Sequence, residues 1–288
     1  MNKKGIIFAA ILCFCASLSA FSQVLPYVIF TKDGKKTTFE KMAKKLYNNQ
    51  VILFGEYHNN AIAHWLQFEL VANLHQKKKP LKLGAEMFER DEQTALNMYL
   101  EGLYTPAQLD SATGGVWKNF TTDYKPLVDF AKNNKLEFWA TNIPRRFASM
   151  VYKGGFEALD TLTKEQKAWI AQLPIKFDPT LKGYAEINKK AGGHGGDNLA
   201  KSQAIKDATM AETIIRHYSP IGLYIHFNGS YHSNNYDGIY WYLKQAIPGM
   251  TIGTIATVTQ KNLKKLSPEN IGLADFIICV NENMTNTY

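Results

Sequence analysis

The sequence predicts an α/β fold: a mostly parallel central sheet with helices on both faces and a helical insertion. Three observations carry that expectation. Short apolar runs such as Val51-Ile52-Leu53-Phe54 and Gly222-Leu223-Tyr224-Ile225 are bounded by glycine, as buried strands are. Helical periodicities alternate with them in the order β-α-β-α-β-helices-β-α-β, which favours parallel pairing. Residues 147 to 197 carry no strand signal and read as inserted helices with a long loop.

The chain opens with a leader-like stretch over residues 1–22. Lys3 and Lys4 supply the positive start, Ile6 to Ala16 the apolar run, and Ala20-Phe21-Ser22 a small-x-small site that predicts cleavage before Gln23. The expectation is export to the periplasm or cell envelope, with residues 23–288 forming one α/β domain. Tyr27 to Phe39 reads as a hairpin turning at Asp33-Gly34, followed by a helix to Asn48. Val51 to Phe54 is the first central strand. The next helix places Ile62, Leu66, Leu70 and Leu74 on one stripe, with Trp65 and Phe68 widening it, and stops at Pro80. Leu81 to Met87 is the second strand, and helices follow from Asp91 to Glu101, Pro106 to Ala112 and through Tyr124-Lys125-Pro126-Leu127. Leu136 to Ala140 is the third. After it come a helical subdomain at about 147–218, with Gly192-Gly193-His194-Gly195-Gly196 before a long helix from Asn198 to His217, and then the strand Gly222 to Asn228. A helix from Ile239 to Ala246 and strands Thr251 to Val258 and Phe276 to Val280 complete the order.

Two of the three cysteines fall inside the leader, so the exported chain keeps Cys279 alone, within an apolar strand where it reads as a core residue. The formal charge is +8, but the lysines are dispersed and form no nucleic-acid module.

Chemistry concentrates where strands end, since ligands of open α/β sheets bind at that edge. Gly55-Glu56-Tyr57-His58 and Gly229-Ser230-Tyr231-His232 are two Gly-x-x-His endings, and Glu86 stands at a third strand end among apolar neighbours, where a carboxylate needs a partner. Imidazole with carboxylate, here His58 and His232 with Glu56 and Glu86, suits a divalent metal ion and equally suits acid–base catalysis, although the spacing forms no complete metal-binding pattern. Arg90 and Arg145 follow strands and could clasp an anion, or pair with Glu89 or Asp91 at the surface. Asn142 reads as a ligand contact or as the cap of a helix starting at Pro144. Asp207, on the long helix, could orient a histidine or meet an arginine. Tyr152, Tyr184 and Tyr231 fall in loops or at helix ends, and tyrosinate is an axial ligand of haem iron.

With these stretches the chain resembles the ChaN-like branch of the Tiki/TraB/ChaN superfamily, described as haem-binding uptake proteins. The matching segments are Gly55-Glu56-Tyr57-His58, Glu86-Met87-Phe88-Glu89-Arg90, Tyr124-Lys125-Pro126, Asn142-Ile143-Pro144-Arg145, Lys206-Asp207-Ala208-Thr209-Met210-Ala211 and Gly229-Ser230-Tyr231-His232, in family order. The resemblance implies haem binding in iron acquisition, with one of Tyr152, Tyr184 and Tyr231 on the iron and arginines or lysines on the propionates. It also implies an alternative, a metal-dependent hydrolase similar to Tiki peptidases or erythromycin esterases, using His58, His232 and Glu86. Expected partners are haem or a small-molecule substrate, an outer-membrane uptake machinery and a second copy of the chain, with no nucleic acid.

Overall fold

The computed structural model describes residues 25–190 and 196–288. The leader, its cleavage point and the glycine-flanked His194 lie outside the described residues.

Eight strands form one sheet: β1 (Tyr27–Thr31), β2 (Lys36–Thr37), β3 (Val51–Glu56), β4 (Leu81–Glu89), β5 (Glu137–Asn142), β6 (Leu223–Gly229), β7 (Ile252–Gln260) and β8 (Phe276–Asn281). Their order is β2-β1-β8-β7-β3-β6-β4-β5, with β3 to β8 mutually parallel and the β1–β2 hairpin antiparallel at one end. The helices are α1 (Phe39–Leu46), α2 (Ala61–His75), α3 (Gln93–Leu100), α4 (Pro106–Ala112), α5 (Lys125–Asn133), α6 (Arg145–Gly154), α7 (Lys164–Lys167), α8 (Lys182–Lys190), α9 (Asn198–His217) and α10 (Ile239–Ala246). Between β5 and β6 the described chain is helical or irregular throughout. No helix among the described residues is long and apolar enough to cross a membrane.

Alternation along the strands assigns the two faces. Ile52 and Phe54 of β3, with Ile225 and Phe227 of β6, pack against Leu66, Leu70 and Leu74 of α2. Val51, Leu53 and Tyr224 point the other way, onto Met210, Ile214, Ile239 and Leu243 of α9 and α10. Burying each such Leu or Ile contributes about 1.5–3 kcal/mol. The chain leaves β3 for β4 on one side of the sheet, whereas it leaves β6 for β7 on the other, so β3 and β6 flank a topological switch point. A crevice opens there.

Two local departures shape it. In β4 the register with β5 shifts between Ala85 and Glu89, and both Met87 and Phe88 face the α2 side. A bulge of this kind re-aims side chains at a strand end. Before α5, Phe120–Tyr124 forms a single π-helical turn, a feature that recurs at functional sites. α6 begins differently from expectation: Pro144 is the N-cap residue, and Asn142 uses its Oδ1 on the Ile143 N–H (2.9 Å) rather than on the helix's first turn.

Candidate functional site

A cavity of about 760 Å³ opens at the C-terminal edge of β3, β4 and β6. His58, Glu86 and His232 all line it, together with Trp117, Asn142, Arg145 and Lys206. The two Gly-x-x-His segments therefore do meet, and each histidine is held by acids.

His58 follows β3. Its Nδ1–H donates to Glu56 Oε1 at 3.0 Å, which leaves Nε2 as the proton acceptor, and its ring packs edge-on against Trp117. Nε2 abuts Gly229: a Cβ there would lie 3.1 Å from it and 3.6 Å from Glu86 Oε2. Burial alone would lower the His58 pKa. The Glu56 hydrogen bond and the Glu86 and Glu56 charges outweigh it, and the pKa is raised. Glu56, buried at the last position of β3, also accepts from Tyr124 OH at 2.7 Å and from Gln67 Nε2. Burial, then the Glu56 charge, drive the Tyr124 phenol well above its ordinary pKa, so it stays a donor. His64 of α2 completes this layer, its Nε2 3.1 Å from the His58 carbonyl and its Nδ1 3.2 Å from Gln67 Oε1.

His232 sits on a one-turn helix after β6. Nδ1 donates to Asp207 Oδ1 at 2.6 Å and Nε2 to Glu86 Oε1 at 3.2 Å. Desolvation opposes its charge, but the Glu86 and Asp207 charges and both hydrogen bonds push its pKa up to about 10. It is an imidazolium at neutral pH. Glu86, where burial is likewise overcome by His232, His58 and the Gly229 N–H (2.7 Å), is held far below the usual carboxylate range. Asp207 is raised by burial, which His232 and Tyr184 offset only in part. Beside them the buried His226 is neutral, its pKa lowered to about 4 by desolvation, between the Thr141 hydroxyl (2.8 Å) and Asn228 Oδ1 (3.1 Å).

Both ring nitrogens of His232 face carboxylates, and no group of three or more His, Cys, Asp or Glu side chains among the described residues is placed to hold the expected metal ion. The other candidates separate clearly. Arg145 and Asn142 line the cavity, and Asp207 orients His232. Arg90 is turned away: Nε donates to Thr213 Oγ1 (2.7 Å), and the terminal nitrogens to the Ile170 (2.9 Å) and Thr209 (2.6 Å) carbonyls, so it ties β4 to the helical segment instead of meeting a ligand. Tyr184 is buried at 2 % exposure with its hydroxyl on Asp207 (2.7 Å), which removes it as an iron ligand. Tyr231 is half-exposed, but its hydroxyl is bound to the Gly183 carbonyl. Tyr152, on the last turns of α6, is 55 % exposed and borders a groove of about 210 Å³ with Ser149, Leu199 and Ser202; Arg145 and Lys206 line both groove and cavity.

Sequence reasoning missed Tyr124, His64, Gln67, Asn119, Asp123 and Lys206 as site residues. One signal existed: His64 and Gln67 interrupt the buried side of α2 at a spacing of three, and polar groups on such a stripe need partners.

Because His58 crowds Gly229, a Gly229→Ala methyl forces the imidazole to move by a few tenths of an ångström. We expect a loss of about 1–3 kcal/mol, as for other overpacked sites. A shifted His58 ring resonance with an unchanged His226 resonance checks it; an unmoved His58 would contradict the close approach.

No curated protein sequence matches this chain. Among solved structures, the chain superimposes on one described as cofacial heme binding to ChaN of Campylobacter jejuni, with a TM-score of 0.62, 19% identity, and coverage of 88% of this chain and 96% of that one. It also matches a mutant erythromycin esterase, EreC, in its open conformation, with a TM-score of 0.50, 10% identity, and coverage of 88% and 97%. At these identities the likeness is one of fold. The family model for "Haem-binding uptake, Tiki superfamily, ChaN" matches residues 42–243, which span β3 to β6 and every residue of the two histidine clusters. The chain belongs to the ChaN family of the Tiki superfamily.

Proposed function

We propose that this protein is exported and binds haem for iron acquisition, with the Tyr152 phenolate on the ferric iron. The observation that carries this reading is the setting of Tyr152: an accessible phenol on the rim of a groove whose other walls bring Arg145 and Lys206. The remaining tyrosine candidates have their hydroxyls committed to Asp207 and to Gly183. The residues present fit the group. Two cations suit two propionates, and the adjoining cavity offers Met87, Phe88, Val116 and Trp117 as apolar contacts for a macrocycle. The leader-like residues 1–22 support export. Titrating the purified protein with hemin is expected to give a saturable Soret shift; a featureless titration would remove this reading.

A second reading rests on a different observation, the Glu56–His58 pair at the wall of the cavity. A histidine oriented by a carboxylate and with a raised pKa suits the removal of a proton from water. This supports hydrolysis of an ester or peptide bond. Turnover of a panel of aryl esters and peptides that disappears in His58→Ala would support it, and parental turnover in that variant would sink it.

A further inference from the structure

The residues after β8 do something that neither reading uses. Asn281–Met284 form a turn, and Met284 packs on the main core. The chain then crosses the C-terminal edge of the sheet towards the loop that carries His58. Asn286 bridges to Asn60 in antiparallel fashion, and the Thr287 N–H donates to the Asn59 carbonyl at 3.0 Å. Thr287 Oγ1 donates to Asp123 Oδ2 at 2.7 Å, although the two residues are 164 apart in sequence. Tyr288 then lines the cavity, with Lys118 Nζ 3.8 Å from its ring centroid.

We propose that residues 285–288 are a latch across the mouth of the cavity, fastened at Asp123 and governing access to His58. The fastening is coupled to the site. Asp123 is buried, and the oxygen that holds Thr287 also accepts from Asn119 Nδ2 at 2.7 Å. Asn119 Nδ2 in turn donates to the His58 carbonyl at 2.7 Å, and His64 Nε2 lies 3.6 Å from the same Asp123 oxygen. Thus one carboxylate oxygen ties the latch to both supports of the His58 backbone. Above it, the latch is held only by exposed contacts: Tyr288 is 49 % exposed, and Lys118 is a surface residue. A segment with a buried anchor and a solvated tip opens locally at little cost while the sheet stays intact. The latch acts whichever ligand the cavity takes.

The experiment reads access directly. Thr287→Val removes one hydroxyl at nearly constant volume. We expect the backbone amide at position 287 to exchange about fivefold faster than in the parent, the value of one hydrogen bond. Diethylpyrocarbonate should carbethoxylate His58, located by peptide mass spectrometry, several-fold faster than in the parent, while the buried His226 remains unmodified and serves as the folding control. Lys118→Ala, which leaves every buried partner in place, should speed His58 modification in the same direction. Parental His58 modification rates in both variants would overturn the proposal, as would a Thr287 amide that exchanges freely in the parent.

Discussion

His232→Ala is expected to cost the fold about 3–5 kcal/mol, lowering Tm by roughly 10 °C, because it leaves Glu86 and Asp207 buried and facing a void. His232→Gln should lose less, since an amide can still donate one hydrogen bond. The pH dependence has a definite sign. The folded-state pKa of His232 is raised from 6.5 to about 10, so its contribution is complete below about pH 6.5 and disappears as pH rises through about 10. Glu86 acts in the opposite sense: its folded pKa is depressed, so its contribution is present above about pH 4.5 and is lost as pH falls towards that depressed value. The parent should therefore be most stable between about pH 4.5 and 6.5, and the difference in Tm between parent and His232→Gln should shrink progressively as pH rises from about 6.5 to 10. Thermal melts across pH 4 to 10 check this. A gap that widens at high pH would show that His232 is neutral in the folded protein.

Tyr152→Phe is expected to weaken hemin binding by at least about 100-fold. Altering a residue behind a metal ligand typically costs 10–100-fold, and removing the ligand itself should exceed that. The substitution leaves the ring and the α6 packing in place, so stability should hold within about 0.5 kcal/mol, as for other exposed positions. Tyr231→Phe should retain hemin affinity, since that hydroxyl is already bound to the Gly183 carbonyl. Arg145→Ala and Lys206→Ala should fall between, because each removes one charge and leaves the iron ligand. Hemin affinities of the four variants, measured by Soret titration, give the order; equal affinities for parent and Tyr152→Phe would remove Tyr152 from the iron.

The sheet was legible because its strands are short apolar runs, two of them closed by glycine, and the long helix because its apolar spacing persists from Asn198 to His217. The convergence of His58, Glu86 and His232 was readable for a related reason: parallel strands deliver their C-terminal ends to one edge, so three such endings share it. Directions of individual side chains were not readable. Arg90 follows a bulge in β4 that turns it onto carbonyls of the helical segment, and nothing local announces a register shift. Tyr184 looks like a loop residue, yet α8 packs on α9 and delivers its hydroxyl to Asp207, a buried acid that needs a second donor. The double use of His232 by two acids depends on Asp207 arriving from a separate helix. The latch at Asp123 joins residues too far apart in the chain for any pattern to relate them.

The most direct measurement is the electronic and electron paramagnetic resonance spectrum of the ferric hemin complex, recorded for the parent and for Tyr152→Phe. The parent should show a tyrosinate charge-transfer band, and the variant should lack that band. A low-spin spectrum that is lost in His58→Ala but kept in Tyr152→Phe would place the iron on the histidine and contradict the account.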